Sequence, residues 1–579
     1  MECNFLLINS YFLLGKSIID GNNNSSFNKK KQYTNSTKKM QGQKRRSLNT
    51  DVYLYILSEF MIINQIPDLI ENNGGIYKYN FEHNDEENIE FIERIDQNTH
   101  FIFHFDVFYF HHANIPNITF RNKSIEIDEL IVEHTDQERI EDYFDPIEKV
   151  KIKSIFFKKY YGHPLPQKTE SLNSTGKSNS PNKSICSLND ALTKITFWRE
   201  YKFALPDILP PNLQEINFQS TYEFELPANL PENLKKLIIS TNYTHKLPVK
   251  KIFNAECKQF DTICGLPEKM EHLEINRYNK PLPEKLPSLK HLILKNFMGK
   301  LPKKLPETLK TFHLDSQNDQ IIPDFPASIE SLVFGTSFNQ PLHPNLPPQL
   351  KELIFGHLYS YPIPHILPES LVHMEFSSYY DHPLPPKLPS NLQVLIFGYK
   401  YDHPLPSILP DTLRYIEFGS YYNKPLPKKL PSQLREIRFD TRYNIKLPEH
   451  LPESLRKIVF GYCFNKNLPE KLPEKLEKLK FDHCFNKPLP KRLPNNLKKL
   501  ILGFSYNHPL PDISNTQLKV IRFGKSQQFE LNEFLPTSLE RIELYNVNCK
   551  KIIGGRYSVI EGVLHRNGQN IGIKVIPRY

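Results

Sequence analysis

The sequence predicts a mainly β solenoid, a stack of 21-residue repeats that each contribute one short parallel strand, with a small N-terminal α+β region ahead of it. Three observations predict it. A leucine or isoleucine beside prolines recurs every 21 residues without insertion or deletion, at Ile321, Leu342, Ile363, Leu384, Leu405, Leu426, Leu447, Leu468, Leu489, Leu510 and Leu531. Self-similarity at such a period marks an array in which one unit cannot bury its apolar side and a row of units can. Each period also holds one L-x-x-L-x-F run, the length of a strand. Finally, Leu-Pro occurs twice per period on the return path, and proline neither continues a helix nor donates to a ladder.

In chain order, residues 1–47 are read as disordered, because 21–46 is an Asn/Ser/Lys tract with too little apolar matter to offset ordering entropy. The apolar run Phe5 to Leu14 lacks the flanks of a secretory signal, since Glu2 stands where positive charge is expected. Residues 48–150 form an N-terminal capping region. Within it, Val52, Ile56, Leu57, Phe60 and Ile63 fall at helical spacing between Leu48 and Ile70, and strands follow, with Phe101, Phe103 and Phe105 alternating. The solenoid is assigned to 151–549, opening on Ile152, Ile155 and Phe157, and interrupted by a Ser/Asn-rich insert at 169–189. The 21-residue step holds from Leu205 through Leu226 to Leu247; steps of 19, 16, 19 and 20 to Leu266, Leu282, Leu301 and Ile321 predict a loosened middle. Residues 550–579 are assigned to a terminal β cap with a hairpin at Asn567-Gly568, because the open end of a parallel stack exposes unpaired backbone.

Composition bounds the rest. Single cores stop growing near about 250–300 residues, and a 579-residue chain escapes that limit if each unit touches only its neighbours. Seven cysteines without paired spacing point away from a disulfide framework and toward a reducing compartment, the cytoplasm, with Lys44-Arg45-Arg46 readable as a nuclear signal. A net charge of +10 is modest for this length and does not by itself call for nucleic acid. No apolar run approaches the roughly 20 residues that span a bilayer.

Columns down the array separate the duties of its positions. Leu350, Leu371, Leu392, Leu413 and Leu434 form one apolar column; Leu353, Met374, Leu395, Ile416 and Ile437 a second; Phe355, Phe376, Phe397, Phe418 and Phe439 a third. A fourth is aromatic, from Phe338 and Tyr359 to Phe485 and Tyr506. Beside it runs a polar column, Asn339, Asp381, Asp402, Asn423, Asn444, Asn465, Asn486 and Asn507, with Ser360 as the exception. Stacked side-chain amides in register can satisfy turn backbone that would otherwise go unpaired.

The segments Phe338-Asn339-Gln340-Pro341-Leu342, Tyr422-Asn423-Lys424-Pro425-Leu426 and Phe485-Asn486-Lys487-Pro488-Leu489 resemble the FNIP repeat. The resemblance covers 200–549 and, in shorter form, 152–168; the third motif position is mostly Gln, Lys or His here, with Ile445 an exception. It implies a leucine-rich-repeat-like solenoid and protein interaction, with no activity of the repeat itself. Residues Leu48 to Phe60 resemble the opening of an F-box, with Asn49 where that family has proline. That likeness implies a substrate-recognition subunit of a ubiquitin ligase; a solenoid-capping helix is the other reading.

No phosphate-binding glycine loop, nucleophile elbow, zinc-protease pair or kinase signature is present, so no enzyme, no cofactor and no small-molecule substrate is expected. His163, His382, His403 and His508 precede prolines in the turn, as solvent-facing residues or weakly as metal ligands; Cys463 and Cys484 stand one period apart, read as buried thiols. Function is expected at strand positions 2, 3 and 5 of L-x-x-L-x-F, which carry no packing duty. They read Arg414, Arg435, Arg438, Arg456, Lys457, Lys478, Lys480, Lys498, Lys499, Lys519 and Arg522, with Glu417, Glu436, Glu477, Val459 and Ile501 among them. This basic face is either solvated charge that prevents aggregation or a binding surface for an acidic or phosphorylated protein, with RNA a weaker fit.

Overall fold

The computed structural model describes residues 68–72, 76–81, 101–110, 124–132, 150–157, 165, 190–198, 201–241, 243–254, 259–316, 322–523, 535–545, 558–560, 563–566 and 569–576. The chain divides into two compact units, Met1–Leu213 and Gln214–Tyr579. Most of the expected helix, with the F-box-like residues Leu48 to Phe60, lies outside the described residues, as does the insert at 169–189. The end of that helix is corrected: Asp68, Leu69 and Ile70 belong to a strand, β1 (Asp68–Asn72), which follows Pro67 and pairs antiparallel with β2 (Ile76–Phe81). Proline disfavours helical geometry in the residue before it, and a partner strand close in sequence supplies the hydrogen bonds a helix would have used.

In the first unit β2, β3 (Phe101–Phe110), β4 (Ser124–Val132), β5 (Val150–Phe157) and β6 (Lys194–Phe197) run parallel. Parallel stacking thus begins well before residue 151. Register aligns buried columns, Phe105, Ile127 and Ile152 in one, and Val132, Phe157 and Phe197 in another. The rings of Phe157 and Phe197 stack at 4.9 Å.

In the second unit β7 (Glu215–Thr221) pairs with β8 (Lys236–Thr241), and β8 with β11 (His272–Asn276). Leu237 is partnered by Leu273, 36 residues on instead of 21. The excess is a hairpin: β9 (Val249–Asn254) and β10 (Gln259–Cys264) form their own antiparallel pair within one turn. Leu247 and Leu266 therefore lie in the same turn, and the middle is interrupted by an insertion rather than loosened there. The next turns are short by one or two residues, and each holds a left-handed residue where the strand ends, Arg277 (φ 54°) and Asn296 (φ 48°).

From there the strands follow in register, through β12 (His291–Phe297), β13 (Thr311–Ser316), β14 (Ser331–Phe334), β15 (Glu352–Ile354), β16 (His373–Glu375), β17 (Val394–Ile396) and β18 (Tyr415–Glu417). The series continues as β19 (Glu436–Arg438), β20 (Lys457–Val459), β21 (Lys478–Lys480), β22 (Lys499–Ile501), β23 (Val520–Arg522) and β24 (Arg541–Tyr545). β27 (Gln569–Ile576) pairs parallel with β24 and antiparallel with β26 (Val563–Arg566), which pairs with β25 (Ser558–Ile560). The stack ends on an antiparallel edge.

Each regular turn buries its columns as their spacing requires. Leu350, Leu371, Leu392, Leu413 and Leu434 are fully buried, as are Leu353, Met374, Leu395 and Ile416. Phe rings stack from rung to rung at 5.2 to 6.1 Å between Phe355 and Phe481, and the next aromatic column at 5.9 to 6.5 Å between Tyr359 and Tyr506. Both exceed the roughly 4.8 Å between strands, so neighbouring rungs spread as they leave the strand. The proline turns close by a carbonyl that proline still offers: Leu350 N–H donates to Pro347 O, Leu371 to Pro368 and Leu392 to Pro389.

Candidate interaction face

Positions 2 and 3 cannot both point outward from a regular strand, because side chains alternate. The backbone resolves this. Both Lys351 N–H and Glu352 N–H donate to Glu330 O, at 2.7 and 3.1 Å, and both Arg435 N–H and Glu436 N–H to Arg414 O, at 2.8 and 3.0 Å. In these regular turns one carbonyl takes both N–H groups where the strand begins, so position 2 lies ahead of the strand and turns to solvent, while positions 3 and 5 share the strand's outward face. Arg414, Arg435, Arg456, Lys498 and Lys519 are exposed in position 2; Arg438, Lys457, Lys478, Lys480, Lys499 and Arg522 are half-buried in positions 3 and 5. Ile501 departs from the expected pattern: it is buried, 6% exposed.

Charges within this face are sorted by ion pairing. Glu436 Oε2 lies 3.2 Å from Lys457 Nζ, and Glu436 Oε1 accepts from Arg438 Nε at 2.5 Å. Glu477 is shared by Arg456 at 3.2 Å and Lys498 at 3.3 Å. Lys519 pairs with Glu540 at 2.8 Å and Arg522 with Glu543 at 2.7 Å. Arg414, Arg435, Lys478, Lys480 and Lys499 have no carboxylate within ion-pair distance among the described residues. Burial, followed by the nearby ammonium of Lys499 and then Arg438, Lys480 and Lys457, holds the Lys478 ammonium below its ordinary pKa.

The polar column works through oxygen. Asn444 N–H donates to Asn423 Oδ1 at 3.0 Å, Asn465 N–H to Asn444 Oδ1 at 2.9 Å, Asn486 N–H to Asn465 Oδ1 and Asn507 N–H to Asn486 Oδ1, each at 3.0 Å. Asn423 N–H donates to Asp402 and Ser360 N–H to Asn339, both at 2.9 Å. A carboxylate serves as well as an amide because only the acceptor is used. His382, His403 and His508 are half-buried in their turns, each donating a ring N–H to a backbone carbonyl of the preceding rung, at 2.8, 3.0 and 3.2 Å. Among the described residues no group of three or more His, Cys, Asp or Glu could hold a metal. Cys463 and Cys484 are free and half-buried rather than fully buried, and burial, with Cys463 nearby, raises the Cys484 thiol.

A second surface went unrecognised in the sequence. Residues just before the inward aromatic form an outward ridge in several turns, with Tyr379, Tyr399 and Tyr462 exposed. Its ring faces are occupied. Lys400 Nζ sits 4.2 Å over Tyr379 and the Arg442 guanidinium 3.8 Å over Tyr421, while Tyr462, His483 and Phe504 stack at 4.6 and 4.5 Å. The signal was present in Phe397-Gly398-Tyr399-Lys400-Tyr401, where of the two tyrosines Tyr401 alone is inward and fully buried.

The family model of the FNIP repeat matches residues 317–358, 338–379, 380–421, 422–463 and 485–515. All but the last match span two 21-residue turns. No curated protein sequence matches the chain. Among solved structures the chain is similar to CroV588, described as a circular LRR protein, at 19% identity over 88% of this chain and 100% of that one, TM-score 0.35. It is also similar to YopM from Yersinia enterocolitica, at 18% identity over 89% and 99%, TM-score 0.39. A third likeness is to YopM, a leucine-rich effector protein from Yersinia pestis, at 24% identity over 51% and 84%, TM-score 0.38. Among the described residues no helix is long and apolar enough to cross a membrane.

Proposed function

Because segments between residues 317 and 515 match the FNIP repeat and the strands stack as a parallel solenoid, we propose that the chain is a non-catalytic protein-interaction scaffold whose strand face over β18–β23 takes an acidic or phosphorylated protein partner in the cytoplasm. The observation that carries this reading is the unpaired cations within an otherwise ion-paired face. Packing does not require Arg414, Arg435, Lys478, Lys480 or Lys499, and like charges in adjacent rungs cost stability. A partner carrying negative charge relieves that cost on binding, and the paired residues around it hold the remaining side chains in register.

The aromatic ridge adds apolar area at the rim of these rungs through Tyr462 and of the two preceding rungs through Tyr379 and Tyr399. Tyrosine there offers large rigid contact surface at low entropic cost. The test is charge reversal: Arg435→Glu, Arg438→Glu and Lys480→Glu in one chain, compared with the natural chain by affinity purification and mass spectrometry. Partners recovered with the natural chain should be lost from the variant and kept by Lys387→Glu with Lys471→Glu, which lie on exposed turns. Unchanged recovery from the triple variant would sink the face assignment.

A further inference from the structure

We infer that Lys478, Lys480 and Lys499 form a phosphoryl-binding triad within the strand face, built for a phosphoserine or phosphothreonine in an extended segment of the protein partner. The inference rests on the strand-face reading and narrows it to one chemical group. Lys478 is the register partner of Lys499 on the next strand, and Lys480 stands two residues along on the same face as Lys478. Adjacent strands lie about 4.8 Å apart, so three ammonium groups on flexible stems can reach one small area between them.

What surrounds the triad separates it from the rest of the basic face. On the Lys478 row the neighbour toward β19 is Lys457, which Glu436 already neutralises at 3.2 Å. On the Lys480 row the register partners are Val459 and Ile501. Lys480 thus has an apolar neighbour on either side, and no acid of an adjacent rung competes for it. Glu477, next to Lys478, is held by Arg456 and Lys498, and Asp482, two residues past Lys480, is exposed and makes no ion pair with the three lysines among the described residues. The three cations are left with converging donors and no acceptor among the described residues.

A carboxylate brings one negative charge and two oxygens to such a place. A phosphorylated hydroxyl brings roughly −1.5 to −2 and three strong acceptors, which matches three ammonium groups. Nucleic acid fits less well. Single-stranded recognition needs open aromatic faces for bases to stack on; Tyr415 in the face lies beneath the Arg438 guanidinium at 5.7 Å, and the ridge rings are covered by Lys400 and Arg442 or by one another. The half-buried Val459 beside Lys480 favours instead an apolar residue beside the phosphorylated one.

The test uses the full chain and fluorescence anisotropy with three labelled peptide pools, degenerate except for a fixed central phosphoserine, serine or glutamate. The phosphoserine pool should bind about tenfold tighter or more than the serine pool, a margin of about one factor of ten in Kd. That margin should vanish in Lys478→Ala/Lys480→Ala/Lys499→Ala and survive in Arg456→Ala, on the same face. Lys480→Gln alone, the milder change, should reduce it. Equal binding of the phosphoserine and serine pools overturns the inference, as does a margin that outlives the triple substitution. A glutamate pool that equals the phosphoserine pool overturns it in favour of a general anion surface, and an oligouridine that displaces the peptide while sharing its dependence on the triad overturns it in favour of RNA. The strand-face reading fails separately, through retained partners in the Arg435, Arg438 and Lys480 charge reversal.

Discussion

Gly398 shows how closely the rungs approach where the strand gives way to the turn. A Cβ placed there would lie 1.7 Å from the carbonyl oxygen of Ser377 in the preceding rung, and Gly419 and Gly503 meet the same obstacle at 1.8 and 1.7 Å. Backbone cannot yield as a flexible side chain would, so Gly398→Ala should destabilise by about 1–3 kcal/mol, read as a lower denaturant midpoint. Asn444 carries a different duty. Its Oδ1 accepts the N–H of Asn465, and Asn444→Ala should cost about 1 kcal/mol. Asn444→Asp keeps the acceptor and should leave the midpoint nearly unchanged, as Asp402 already serves Asn423. An equal loss in both variants would mean that the amide N–H₂, not the oxygen, holds the turn.

At the scale of the strand, β11 carries a titration with a defined direction. Glu274 faces His272 Nε2 at 3.6 Å and accepts from Lys295 Nζ at 2.6 Å, and these neighbours hold its carboxyl down at about 2 against an ordinary 4.5, with His272 the largest cause. A folded value below the unfolded one means stability that is full above pH 4.5 and lost as pH falls toward 2. Glu274→Gln should therefore flatten the acid limb of the midpoint-against-pH curve, and an unaltered limb would assign acid sensitivity elsewhere. Element by element, the regular turns were legible because each column repeats one residue type at one burial, as Leu434, Ile437 and Phe439 do. The β9–β10 hairpin was not, since Leu266-Pro267 mimics the Leu-Pro of the preceding column and the inserted strands share no period with the array. The ridge was hidden for a related reason: Tyr399 and Tyr401 are the same residue type with opposite burial, 51% and 0% exposed. Ion pairing on the strand face was equally unreadable, because acids such as Glu477 reach cations a full turn away in sequence.

For the molecule as a whole, the 21-residue repeats supply a regular frame and the outward strand positions supply individuality. The columns that pack are nearly invariant from turn to turn, whereas position 3 passes from His373 and Val394 through Tyr415 and Glu436 to Lys457, Lys478 and Lys499. The proposed partner site lies where that variation turns basic and unpaired. The most direct measurement is lysine acylation of the full chain, read by mass spectrometry with and without a partner recovered by affinity purification. The account predicts that the partner protects Lys457, Lys478, Lys480 and Lys499 while Lys387, Lys429 and Lys471 on the exposed turns react as before. Protection of the turn lysines with undiminished labelling of the strand-face lysines would contradict it.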